Sequence, residues 1–258
     1  MEITDQIGKS LSPERPPKRI ISLVPSITYS LSSFGLDEQV KGITRFCKYP
    51  SKWRKTKIII GGTKNLKIDR IKDLKPDLIL ASKEENNKQE IEKLQEVSPV
   101  YVSDVKDFET NIQFIKDLGF LLSKEERADN FILSIQSKRR KLLNSKGNSA
   151  VYLIWKEPWM TIGGDTFINN MLNEAGFKNM YGDLKRYPSI NLDDIILKKP
   201  DLLFLSSEPY PFKEKHKREL QKILPNTIII LVDGEAFSWF GTYPIKAYDY
   251  LMNLKTQV

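Results

Sequence analysis

One fifteen-residue pattern occurs twice in this chain, and it constrains the fold more than any other feature. Residues 68–82, IDRIKDLKPDLILAS, align with residues 192–206, LDDIILKKPDLLFLS, at a constant offset of 124. Asp69/Asp193, Ile71/Ile195, Lys75/Lys199, Pro76/Pro200, Asp77/Asp201, Leu78/Leu202 and Ser82/Ser206 are identical, and two positions further on Glu84 falls on Glu208. Each copy reads as a short helix, a Lys-Pro-Asp turn and a buried strand, because proline cannot continue a helix. A helix, a turn and a strand can recur by chance in α/β proteins. The joint match in both halves favours a duplicated or pseudo-symmetric architecture.

The rest of the chain fits that division. Arg19–Val24, Val40–Thr44, Lys57–Ile60, Asp77–Ala81 and Val100–Val102 read as strands, with helices expected from Pro25 to about Phe34, Ile68–Leu74, Asn87–Glu96 and Asp107–Leu118. Ser26 is the expected cap of the first helix and Gly35 its stop. A longer helix is expected from Lys124 to about Asn144, ended by Gly147. The pattern then restarts with strands at Val151–Ile154, Leu202–Leu205 and Thr227–Val232, separated by helices at Thr166–Ala175, Leu192–Leu197 and Lys213–Ile223 and closed by Pro244–Leu254. Alternating strands and helices predict parallel sheets with crossover helices. The expected fold is α/β, two Rossmann-like lobes (residues 1–123 and 147–258) joined by one long helix (124–146), with the ligand cleft between the lobes.

Composition narrows the chemistry. The 258 residues include one His and one Cys. A zinc site rich in histidine or a two-histidine facial triad is therefore excluded, and any Ser–His–Asp or Cys–His device would have to use His216. His216 lies in Lys213-Glu-Lys-His-Lys-Arg218, which reads as a solvated helix face. Cys47, between Arg45 and Lys48, is a candidate for a lowered thiol pKa. There is no Gly-x-x-x-x-Gly-Lys-Ser/Thr or Gly-x-Gly-x-x-Gly phosphate loop and no Gly-x-Ser-x-Gly elbow.

Net charge is +8, and residues 41–75 carry twelve Lys/Arg against Asp69 and Asp73. That run reads either as an electrostatic footprint for an anion or nucleic acid or as a lysine-rich solvated face; no nucleic-acid-binding motif accompanies it. No stretch approaches the roughly 20 apolar residues of a spanning helix. The polar start does not read as a signal peptide, so the expectation is a cytoplasmic protein or an extracytoplasmic one whose start was processed or trimmed.

In parallel α/β sheets, ligands lie beyond the carboxyl ends of the strands. Those positions hold Arg45, Phe46, Cys47, Lys48, Tyr49 and Trp53; then Ser82 to Asn86; then Trp155 to Met160; then Ser206 to Phe212; and finally Asp233 to Gly241. Aromatic side chains gathered in such loops point to a ligand wall, since they offer flat apolar area at low entropic cost. Packing at a lobe edge is the alternative. Glu84, Glu85, Glu208, Asp233 and Glu235 offer a second alternative, a carboxylate cluster for a hard metal or for acid–base catalysis.

The segments Arg19-Ile-Ile-Ser-Leu-Val-Pro-Ser-Ile-Thr28, Gly61-Gly-Thr63 with the repeat that follows, Trp155–Phe167 and Asp233-Gly-Glu-Ala-Phe-Ser-Trp239 resemble the substrate-binding proteins of ABC importers that handle cobalamin, ferric siderophores and haem. The resemblance runs from about Lys18 to the C-terminus. It implies a non-enzymatic, monomeric binding protein with no intrinsic cofactor, no metal ligands of its own, no bound nucleic acid and no inserted membrane segment. The implied partners are a small metal chelate and an ABC-importer permease. Cobalamin is the first expected ligand, a ferric siderophore next (Arg45, Lys48 and Arg186 against an anionic complex) and haem third (Tyr49, Tyr187 or Tyr210). By position, the implied ligand contacts are Arg45, Tyr49, Glu84, Trp155, Trp159, Tyr210, Phe237 and Trp239. Lys88 stands where the resemblance implies an acidic permease-docking residue. A cytoplasmic chelate carrier or sensor without a permease, or a carboxylate-based metal-dependent enzyme, are the other readings.

Overall fold

The computed structural model describes residues 2–13, 15–142 and 147–258. The chain divides into two compact units. The first holds the described residues up to Val105, then Glu109–Ser134 and Phe240–Tyr243; the second holds Lys106–Phe108, the described residues from Ile135 to Trp239, and Pro244–Val258.

The first unit is built on a five-stranded sheet in the order Ile58–Ile59, Val40–Ile43, Ile20–Ser22, Leu78–Ser82, Val100–Ser103, with every neighbouring pair parallel. The second has a four-stranded sheet in the order Lys178–Asn179, Ser149–Leu153, Leu202–Ser206, Ile228–Val232, again parallel throughout. The α/β fold class expected from the sequence is thus observed. All five residues of Leu78–Ser82 and of Leu202–Ser206 are buried, as a parallel strand covered on both faces requires. Ile21, Ile79, Leu94 and Val102 anchor the first core, and Val151, Ile195, Leu203 and Leu220 the second.

The two copies of the repeat are alike in their turns and in the roles of their aspartate and serine side chains. Helices Ile68–Asp73 and Leu192–Lys198 are both followed by a lysine in the left-handed region, Lys75 (after the cap residue Leu74) at φ 45° and Lys199 at φ 48°. Pro76 and Pro200 then bar any further turn of helix. The following aspartate clamps the entrance of the strand that comes first, in chain order, in its unit's parallel sheet. Asp77 accepts the backbone N–H groups of Lys18 and Arg19 at 2.6 and 2.8 Å, and Asp201 accepts the N–H and hydroxyl of Ser149 at 2.8 and 2.7 Å. At the far end of each strand a serine hydroxyl takes the N–H of the glutamate two residues on, Ser82 from Glu84 and Ser206 from Glu208, both at 3.3 Å.

Several local expectations are corrected. The first helix is Pro25–Ser33 with Val24 as its cap; Ser26 lies inside it, and its buried hydroxyl has no hydrogen-bond partner among the described residues. Pro25 takes the first helical position because its missing N–H costs nothing there. Gly61-Gly62, expected only to stop a strand, pairs with Asn65–Leu66 in a small antiparallel hairpin. The helix expected to end at Leu118 runs Phe108–Leu122. The long helix is observed over Glu125–Leu142, and its expected continuation through Asn144 lies outside the described residues.

The first unit also takes in four residues from near the C-terminus. Asn111 pairs with both backbone groups of Gly241, accepting its N–H at 2.5 Å and donating to its carbonyl at 3.2 Å, while Ser30 Oγ accepts the Thr242 N–H at 3.1 Å. Phe240 and Tyr243 set ring edges against Phe114 and Tyr29. Gly241 sits at φ 76°, and a Cβ there would fall 2.2 Å from Ser30 Oγ, so only glycine fits. No helix among the described residues is long and apolar enough to cross a membrane.

Candidate functional site

In the second unit, the segments leaving strands Ser149–Leu153 and Leu202–Ser206 bring five rings together. Trp155, 39% exposed, meets Tyr210 edge-on at 5.6 Å between centroids. Tyr210 packs on Phe212 at 4.8 Å, and Phe212 stacks on Trp159 with the planes 6° apart. His216, at the start of helix Glu214–Ile223, closes the cluster against both Tyr210 and Phe212. Lys156 lies over the Trp159 ring and bonds Glu219 at 3.2 Å, so its cationic head sits against this cluster. The result is an apolar, partly open surface with Trp155 and Tyr210 at its edge.

Beside it, Glu208 Oε1 accepts from Ser238 Oγ and from the Trp239 indole N–H, both at 3.2 Å. Trp239 is buried and ends the one-turn helix Gly234–Ser238, which Asp233 caps by accepting the Glu235 N–H. Phe237 lies in that same turn with 0% of its surface exposed, packed against Tyr152 at 5.0 Å and Phe204 at 6.2 Å. Its expected place on the ligand wall is therefore corrected to a place in the core. A short helix turns alternate side chains to opposite sides, and Phe237 is on the side that faces the sheet.

In the first unit, Arg45 follows strand Val40–Ile43 and is exposed, its guanidinium 5.0 Å from the centre of the Phe46 ring. Gly62 lets both approach: a Cβ there would lie 3.1 Å from Phe46 and 3.3 Å from the guanidinium. Tyr49 is 47% exposed, and Glu84 is half-buried in the turn after Leu78–Ser82. That turn is held by the buried Asn86, whose side chain accepts the Ser82 N–H at 2.8 Å and donates to the Thr63 carbonyl at 2.9 Å. Two other residues expected in these loops are core. Trp53 is buried with its indole N–H on Asp37, and Cys47 is buried with its sulfur 3.0 Å from Thr28 Oγ1. Burial pushes the Cys47 thiol up, against the expectation of a lowered value; its hydrogen bonds with Thr28 and Thr44 only partly offset this.

The structure thus brings Trp155, Trp159 and Tyr210 into one cluster and sets Glu208 against Trp239, while Arg45, Tyr49 and Glu84 occupy strand-end loops of the other unit. His216, expected on a solvated helix face, is also placed otherwise. It is 4% exposed, and its Nδ1 accepts the Lys213 N–H at 3.0 Å. Its position, three residues past the helix cap, was the available signal: a side chain there can reach back to the cap N–H.

Among the described residues no group of three or more His, Cys, Asp and Glu side chains is placed to hold a metal ion. Asp233 is used as a cap and Glu208 as an acceptor, so the carboxylates of the metal-dependent alternative are not assembled as a cluster. Lys88 begins helix Lys88–Gln95, and the nearby Glu90 carboxylate is engaged by the Leu66 N–H at 3.0 Å.

A family model described as periplasmic binding protein matches residues 20–228. An uncharacterized ABC transporter substrate-binding lipoprotein of Bacillus subtilis is 27% identical over 229 residues, 84% of this chain and 72% of that protein. A vitamin B12-binding protein of Vibrio campbellii is 26% identical over 197 residues, 74% of this chain and 71% of its own length. Among solved structures, the periplasmic vitamin B12 binding protein BtuF of Vibrio cholerae superposes with a TM-score of 0.78 at 20% identity, covering 94% of this chain and 99% of its own. The periplasmic catecholate-siderophore binding protein VctP of Vibrio cholerae does so with a TM-score of 0.80 at 16% identity, covering 99% of each chain. At these identities the structural likeness speaks to the fold.

Proposed function

The chain belongs to the periplasmic binding protein family, whose relatives and structural neighbours here are binding proteins rather than enzymes, and on that premise we propose that it binds cobalamin for delivery to an ABC importer. The observation that carries the ligand reading is the open aromatic wall of Trp155 and Tyr210, backed by Trp159 and Phe212, at the carboxyl ends of the second unit's strands. A corrin presents broad apolar faces to such rings and amide side chains to hydrogen-bonding groups such as Tyr210. It also brings its own metal ligands, which suits a protein with no assembled donor set among its described residues. Vitamin B12-binding relatives at 26% identity support the same choice.

A ferric siderophore is the second reading, supported by the exposed Arg45 guanidinium as an anion partner and by the likeness in fold to a catecholate-siderophore binder. Tryptophan fluorescence titrations with cyanocobalamin, a ferric siderophore and haemin, corrected for inner-filter absorption, separate these cases. Cyanocobalamin is expected to quench saturably in the micromolar range or below, and Trp155→Ala to weaken it about tenfold, the loss of about 1.4 kcal/mol. Saturation by the siderophore or haemin alone would reassign the ligand. No saturable change with any of the three would refute chelate binding.

A further inference from the structure

We infer that His216 is a positioning residue: it fixes Tyr210 as a hydrogen-bond donor toward the ligand by occupying the phenol oxygen from behind. The inference rests on the ligand surface proposed above. Three observations carry it. The Lys213 backbone N–H donates to His216 Nδ1 at 3.0 Å, so Nδ1 holds a lone pair and the neutral ring carries its proton on Nε2. Nε2 lies 3.4 Å from Tyr210 Oη, which makes the imidazole the donor and the phenol oxygen the acceptor. With that oxygen receiving a proton from inside the protein, the phenol's own hydrogen is left to donate to an acceptor, such as a carbonyl of a corrin side-chain amide. The rings reinforce the arrangement, since Phe212 stands edge-on to His216 at 88° and packs on Tyr210.

The surroundings hold the imidazole neutral. Burial comes first in lowering its pKa, followed by the cations Lys215 on its own helix and Lys156 from the segment after strand Ser149–Leu153; Lys213 acts in the same direction, and Glu219 opposes them. Protonation would place an N–H on Nδ1 against the Lys213 N–H, donor facing donor, and release the helix start that aims the ring. Ligand affinity is therefore expected to be flat from pH 8 to about 6.5 and to fall at lower pH.

His216 is the sole histidine, so the ring nitrogens of the ¹⁵N-labelled, ligand-free protein give one unambiguous pair of resonances. The inference expects a protonated Nε2, an unprotonated Nδ1, and a shift of the Nε2 signal in Tyr210→Phe. An Nδ1–H tautomer, or no response to Tyr210→Phe, overturns it whatever the ligand. Equilibrium dialysis with cyanocobalamin supplies the second arm. His216→Gln, which can still donate to Tyr210, is expected to bind within about threefold of the parent. His216→Asn, which reaches only the Lys213 N–H, is expected to bind about tenfold more weakly. Equal affinity of parent and His216→Asn overturns the positioning role while leaving cobalamin binding intact. No binding by the parent overturns the ligand reading itself, while the resonances still decide which way the histidine–tyrosine bond runs.

Discussion

Replacing Phe237 by alanine separates the core of the second unit from its ligand wall. The ring is wholly buried and touches three aromatic neighbours, Tyr152 at 5.0 Å, Phe204 at 6.2 Å and Tyr250 at 6.5 Å between centroids. Emptying such a site costs about 3–5 kcal/mol, the transfer free energy of the ring plus the cavity left behind. With a urea dependence of about 2 kcal/mol per molar, the unfolding midpoint should drop by roughly 1.5–2.5 M. Trp155→Ala is the control. That ring is 39% exposed and forms an edge contact with Tyr210, so its loss should cost about 1 kcal/mol and move the midpoint by roughly 0.5 M. Affinity should respond in the opposite order, with Trp155→Ala weakening cyanocobalamin about tenfold and Phe237→Ala, at urea-free conditions where it stays folded, remaining within about twofold. Circular dichroism against urea and equilibrium dialysis read the two quantities separately. A Phe237→Ala protein that keeps its midpoint and loses its ligand would refute the assignment of that ring to the core.

Other tests address single contacts. The two hydrogen bonds from Ser149 hold the Asp201 carboxylate below its ordinary value. Its contribution to stability is then full above the unfolded value near 4 and lost as pH falls through the folded one; Asp201→Asn should abolish that part of the acid dependence of a urea midpoint at a cost under about 1 kcal/mol at neutral pH, because the site is exposed. Cys47 should resist a thiol reagent at pH 8 in the native state and react fully once unfolded, since its sulfur is buried and its pKa raised; rapid native labelling would contradict its placement. Gly234→Ala would set a Cβ 2.5 Å from Ser206 Oγ and 2.7 Å from Glu208 Cγ, so it should displace Glu208 and weaken ligand binding, seen as a raised Kd in dialysis.

The repeat was the part of the fold most legible in the sequence, because helix, proline turn and strand are each dictated by local chemistry, and both copies use the aspartate to hold a strand entrance and the serine to accept the glutamate N–H. The aromatic loops were legible only as a group. Trp155, Trp159 and Tyr210 do form one cluster, but Trp53 and Phe237 begin or belong to one-turn helices, and which side of such a turn meets the sheet depends on tertiary packing. His216 and Cys47 failed for a related reason. Charged neighbours in sequence suggested an exposed face for His216 and a cation-lowered thiol for Cys47, whereas both side chains are buried and loss of solvent is the foremost influence on each. Ser26 was displaced by Pro25, whose fixed φ suits the first helical position.

The placement of Phe240–Tyr243 in the first unit sets a timetable for the growing chain. Asn111 and Ser30 receive their partners Gly241 and Thr242 only after another 130 and 212 residues have been added. At about 5–20 residues per second, the ribosome takes roughly 10–40 s to cover the longer interval. Once Ser103 is made the strands of the first unit's five-stranded sheet are all present, yet the unit still lacks its final segment, and Tyr29 and then Phe114 wait for the rings that later cover them. A nascent chain stalled before residue 240 would hold this unit unfinished.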